Sequence, residues 1–137
     1  MKVLALDYGA ARTGVAVSDP TGTIARPLGV VERAASDAGL TRLAELVRAE
    51  AAERVVVGLP LTLRGERGSQ AAETEAFVEA LRATVDVPVE SFDERFTTRL
   101  ARTGPGNSPQ PVSEPDDARA AAHLLSSYLE WSSAGRE

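Results

Sequence analysis

Acidic side chains stand at three places in this chain where an acid needs a physical reason. Asp7 ends the apolar run Val3-Leu4-Ala5-Leu6 and precedes Tyr8-Gly9. A carboxylate at the end of a core strand is costly if it is buried unpaired. The glycine two residues on leaves room for a ligand or for backbone. A turn-forming Asp that caps a hairpin fits the same local pattern. Asp93 and Glu94 follow the apolar stretch 87–92 and precede Arg95-Phe96-Thr97-Thr98. Adjacent residues on an extended chain point to opposite sides, so the two cannot serve one site in the same way. Here too a plainer role exists, with Asp93 as a helix cap and Glu94 paired with Arg95 or Arg99. Asp117 heads a helical stripe that runs through Ala121, Leu124, Tyr128 and Trp131. An acid on a core-facing stripe is tolerable in the first turn, near the positive end of the helix dipole. Glu114 and Asp116 already supply negative charge there, which weakens the case that Asp117 only complements the dipole.

Two strand ends and one helix start can converge on a single carboxylate pocket. Bare anions in such a pocket repel, and at least one would take up a proton. A divalent cation removes the conflict. Oxygen donors without His or Cys favour Mg²⁺ or Mn²⁺ over zinc. Carboxylate-held Mg²⁺ beside phosphate oxygens is an arrangement suited to phosphodiester cleavage by an activated water.

The elements that must position these acids follow from the apolar pattern. Residues 3–6 and 14–17 are short apolar runs separated by a glycine-containing turn, as in a hairpin of core strands. Residues 23–31 make a third strand, where Pro27 suits an edge or a bulge. Apolar residues at 40, 43, 44, 47 and 51 predict a helix, and residues 54–58, with three consecutive valines, predict a strand buried on both faces. A loop over 59–68 follows, then a helix capped by Ser69 with Phe77, Val78 and Leu81 on its stripe, then a strand over 87–92. Residues 103–115 hold four of the eight prolines and read as a loop. The last helix opens at Ser113-Glu114-Pro115-Asp116, a capping pattern with proline in the first turn. Its run Ala120-Ala121-Ala122 would let it approach the sheet closely. The expected fold class is α/β, with a mixed sheet covered by helices.

Composition bounds the function. With 137 residues and no cysteine, the chain has room for one domain and carries neither a disulfide framework nor a thiolate metal site. A single His excludes a multi-His cluster. The acid at position 7 breaks any signal-peptide core, no apolar run approaches the roughly 20 residues of a membrane span, and the expected setting is the cytoplasm. The net charge of −5 argues against a nucleic-acid binder. Its distribution softens that objection. Residues 95–113 contain Arg95, Arg99 and Arg102 and no acid, and residues 54–67 set Arg54, Arg64 and Arg67 against Glu66 alone. Fourteen of the fifteen basic residues are Arg and 23 residues are Ala, a bias that a GC-rich genome accounts for.

Four ordered motifs over nearly the whole chain resemble the YqgF family, RNase H-like proteins described as Holliday-junction resolvases and as the pre-16S ribosomal RNA nuclease. They are Leu6-Asp7-Tyr8-Gly9 with Arg12 and Gly14-Val15-Ala16-Val17-Ser18-Asp19; Val57-Gly58-Leu59-Pro60-Leu61 with Gly65; Asp93-Glu94-Arg95-Phe96-Thr97-Thr98 with Ala101; and Asp117, Ala120, Ala121, Leu125, Tyr128 and Leu129. The resemblance implies an RNase H-like nuclease domain over residues 1–131, a short tail over 132–137, and a mixed five-stranded sheet whose first three strands are antiparallel. It implies that Asp7, Glu94 and Asp117 bind Mg²⁺ or Mn²⁺ and carry catalysis, with Asp93 competing for the place of Glu94. Arg95 would contact phosphate or the charge that develops on it. Gly9 and Gly14 would keep the entrance loop tight while Arg12 faces substrate. With Arg64, Arg67 and Arg99, these arginines form the expected nucleic-acid contacts. Ala11, where many relatives carry a basic residue, and the Lys-free loop 103–115 depart from the family pattern.

The implied partner is structured RNA, as in ribosomal precursor particles, or branched DNA, and no membrane. No base-reading motif separates the two substrates, and no segment identifies a dimer interface. Two-lobed phosphate-binding ATPases share the Asp-x-Gly hairpin but need a second lobe that 137 residues cannot supply. A non-catalytic binding module on the same fold is the other alternative, and His123 reads as a helix residue rather than as a base.

Overall fold

In a computed structural model, residues 1–60, 68–93 and 116–133 are described below. Five strands form one sheet: β1 (Val3–Asp7), β2 (Arg12–Ser18), β3 (Ala25–Glu32), β4 (Arg54–Leu59) and β5 (Val89–Asp93). Three helices cover it: α1 (Asp37–Glu50), α2 (Ser69–Arg82) and α3 (Asp116–Ser133). The strand order is β3-β2-β1-β4-β5. β1–β2 and β2–β3 pair antiparallel, while β4 joins β1 and β5 joins β4 in parallel. The meander followed by strand–helix crossovers yields the mixed sheet expected from the order of apolar runs.

Strand alternation divides the core between two faces. Leu4, Leu6, Val15, Val17, Val55, Val57 and Val89 pack with Leu43, Val47, Phe77, Val78 and Leu81 of α1 and α2. Val3, Ala5, Ala16, Val56 and Phe92 pack with Ala121, Leu124, Leu125, Tyr128 and Leu129 of α3. The inner strand β4, between β1 and β5, is therefore apolar on both sides, which is why its three valines run without a polar break. On β3, an edge strand, the pairing passes from Val15↔Gly29 to Ala16↔Pro27 and leaves Leu28 as the extra residue. Pro27 lies beside that bulge, where its missing N–H disrupts no regular ladder.

Three expectations need correction. Gly68, not Ser69, is the N-cap of α2, and no side chain caps that end. Ser69 is the first helical residue. Ala51 does not continue the buried stripe of α1, because the helix ends at Glu50 and Ala51 forms a left-handed cap (φ 55°) whose N–H bonds the carbonyl of Arg48, 3.1 Å away. Trp131 is 41% exposed rather than core-facing, although its ring still touches Phe92 and Tyr128. In the alanine run, Ala121 and Ala122 are buried and Ala120 faces outward. Residues 113–115, and with them the proposed capping pattern, lie outside the described residues.

Candidate active site

The β1–β2 connection is short and tightly tied. A Cβ on Gly9 would sit 2.4 Å from the Arg12 carbonyl oxygen, so only glycine fits there. The buried Thr13 hydroxyl lies 3.4 Å from both the backbone N and the carbonyl O of Gly9. The Arg33 N–H donates to the Ala11 carbonyl at 3.0 Å, joining the turn to the end of β3. Tyr8 leaves the sheet on the α2 side and stacks on Phe77, centroids 4.4 Å apart and planes 20° from parallel. Partial burial, and then the charge of Glu73, push its phenol pKa up. Asp7 is thus the last residue of a strand whose following turn is held on three sides.

Asp7 pairs across the sheet with Gly14 of β2. On its other side the parallel register Leu6↔Val57 brings Gly58 of β4 level with it. Asp7 follows the alternation of Val3 and Ala5, so it lies on the α3 face. Neither flanking residue has a side chain to cover that face beside the carboxylate. The first turn of α3 closes on the same spot. An ideal Cβ on Gly14 would lie 1.8 Å from the Asp117 carbonyl oxygen and 3.0 Å from the Ala118 nitrogen. Gly14 therefore admits the helix start to direct backbone contact with the residue opposite Asp7. Asp117 is one-third exposed, and its Oδ2 lies 3.1 Å from the Nε of Arg12. Two of the predicted acids and Arg12 are thereby brought to one strand end.

Asp93 lies elsewhere. It ends β5 beside Leu59, and it alternates with Phe92, which packs under α3. It shares the parity of Val89 and so lies on the α1/α2 face, opposite Asp7. Glu94, Arg64, Arg67, Arg95 and Arg99 lie outside the described residues. Among the described residues no group of three His, Cys, Asp or Glu side chains is gathered closely enough to hold a metal. Asp7 and Asp117 supply hard oxygen donors of the kind Mg²⁺ and Mn²⁺ take, and a third carboxylate would have to come from beyond the described residues. Two site-forming residues were missed on sequence reading: Thr13, hidden in an apolar strand, and Gly14 as the seat of α3. Asp19, part of the opening motif, has a different task. Its carboxylate accepts the backbone N–H groups of Thr23 and Ile24, each at 2.8 Å, and the Thr21 hydroxyl, closing the β2–β3 turn.

Comparison with known proteins places this arrangement. The chain superposes on RuvC of T. thermophilus, solved in complex with a Holliday junction substrate, with a TM-score of 0.68 over 98% of this chain and 96% of that one. Another T. thermophilus RuvC structure gives 0.57. At 18% and 20% identity these likenesses carry the fold, which is RNase H-like. The chain belongs to the RuvX (YqgF) family, described as Holliday junction resolvase, which matches residues 1–131. A protein of Chloroflexus aggregans named "putative pre-16S rRNA nuclease" is 43% identical over 131 residues, 93% of this chain and 92% of its own. One of the same name from Syntrophomonas wolfei is 34% identical over 140 residues, 100% of this chain and 99% of its own. Family and fold together make the chain a hydrolase of the nuclease class. No helix among the described residues is long and apolar enough to cross a membrane.

Proposed function

We propose that this protein is a divalent-metal-dependent endonuclease that matures the 5′ end of precursor 16S rRNA in the cytoplasm, with Asp7, Glu94 and Asp117 as catalytic metal ligands. The observation that carries this reading is the seating of Asp117 on Gly14, directly opposite Asp7, on one face of the sheet. Glu94 is preferred to Asp93 because Asp93 has the wrong parity for that face. Mg²⁺ or Mn²⁺ held by the three carboxylates would lower the pKa of a bound water and offset charge on the scissile phosphate. The chain's own residues do the rest. Asp7 is presented by a turn that cannot relax, and Asp117 by a helix start that cannot withdraw without losing its contact with β2. Arg12, Arg64, Arg67, Arg95 and Arg99 grip backbone phosphates, a contact that orients nucleic acid without reading its sequence. Residues 1–131 act as one nuclease domain, and the tail begins in the last turn of α3.

The rRNA substrate is favoured by the names of relatives that align over nearly their full length. The family's description favours four-way DNA junctions as the second reading. Purified protein with Mg²⁺ should cut an RNA carrying the precursor 16S 5′ end and leave a synthetic four-way junction intact. Cleavage of the junction with the RNA untouched would reverse the assignment.

A further inference from the structure

Arg12 makes a contact that its expected place on the substrate does not explain. Its Nε sits 3.1 Å from Asp117 Oδ2 while its side chain stays 65% exposed. Resting on the metal-carboxylate reading above, we infer that Arg12 and a divalent cation compete for the Asp117 carboxylate, and that the displaced guanidinium takes the phosphate of the nucleic acid. Arg12 then contacts the substrate directly and couples metal binding to nucleic-acid binding.

An ion pair this exposed is weak, so a cation with further carboxylate ligands can break it. Once the cation holds Asp117, its positive charge repels the guanidinium. The released side chain is not left without a partner. Arg12 lies directly across from Glu32 on β3, and paired residues share a face. Both are exposed. The exchange needs side-chain rotation only, because the Gly9–Thr13 contacts and the Arg33–Ala11 bond fix the backbone around Arg12. A phosphate drawn to the cation would then offer the planar fork of Arg12 two oxygens in place of the Asp117 carboxylate. Each ligand must by linkage raise the affinity of the other by one common factor.

The test is Mn²⁺ titration, followed by electron paramagnetic resonance, of the parent protein, Arg12→Gln, Arg12→Lys and Asp117→Asn. A parallel titration with a fluorescein-labelled RNA of the precursor 16S 5′ end, in Ca²⁺, reads nucleic-acid affinity. Arg12→Gln is expected to bind Mn²⁺ about 3- to 10-fold more tightly and RNA about 5-fold more weakly, a pair of opposite signs that a folding defect would not produce. Arg12→Lys should fall between it and the parent on both readouts. Equal or weaker Mn²⁺ binding by both Arg12 variants, with binding lost in Asp117→Asn, sinks the exchange and leaves the carboxylate site standing. Unchanged Mn²⁺ binding in Asp117→Asn overturns the site reading and the exchange with it.

Discussion

Asp19 is an acid that holds the structure: its carboxylate closes the β2–β3 turn. The backbone N–H of Ile24, then the Thr21 hydroxyl and the N–H of Thr23, hold the Asp19 carboxyl well below the ordinary carboxylate range. A depressed carboxyl stabilises the fold above its unfolded pKa of about 4, and the contribution fades as pH falls through the folded value. Asp19→Asn should therefore melt below the parent at pH 7, and the gap should narrow steadily from about pH 4 downward. Thermal unfolding monitored by the fluorescence of Trp131, the single tryptophan, reads both. For the site, Glu94→Gln is expected to lower cleavage about 100-fold or more, and Asp93→Asn to change it only a few-fold. Single-turnover cleavage of the same RNA by the two variants measures this difference, and equal losses would return Asp93 to the site.

At the scale of elements, the contact between β2 and α3 leaves less room at its glycine than any other glycine contact among the described residues. The atom a Gly14 side chain would strike is a backbone carbonyl, which cannot rotate aside. Gly14→Ala must shift the first turn of α3, with an expected cost of about 1–3 kcal/mol and at least a tenfold loss of cleavage. Chemical denaturation beside the cleavage assay checks both, and an unperturbed variant would remove the seat assigned to Asp117. Element types and order were legible because apolar periodicity is local: three valines for β4, and the i, i+3, i+4, i+7 stripe Leu40, Leu43, Ala44, Val47 for α1. Element ends were less so. The capping of α2 by Gly68 rather than Ser69, and the end of α1 before Ala51, depend on backbone angles that residue type only biases.

Across the whole molecule, charge is divided rather than averaged. The net −5 includes the carboxylates that a cation would neutralise, while Arg64 and Arg67 follow β4 in the sequence and Arg95, Arg99 and Arg102 follow β5 in an acid-free stretch. Binding through such contacts is salt-sensitive, with each phosphate contact adding close to one unit of log–log slope. Arg64→Gln combined with Arg67→Gln should lower that slope by about two, and to the same extent for unrelated RNA sequences. Fluorescence anisotropy across a salt series measures it. The site itself was half legible. That Asp7 ends a strand and Asp117 starts a helix can be read from pattern. That both come to one face depends on the Asp7↔Gly14 register and on a helix packing distance that no local signal encodes. The direct test of the account is cleavage of the precursor 16S 5′-end RNA by purified Asp7→Asn beside the parent in Mg²⁺ or Mn²⁺. The parent should cut, and Asp7→Asn, folded and still binding RNA, should not; cleavage by Asp7→Asn at the parent's rate would remove Asp7 from catalysis.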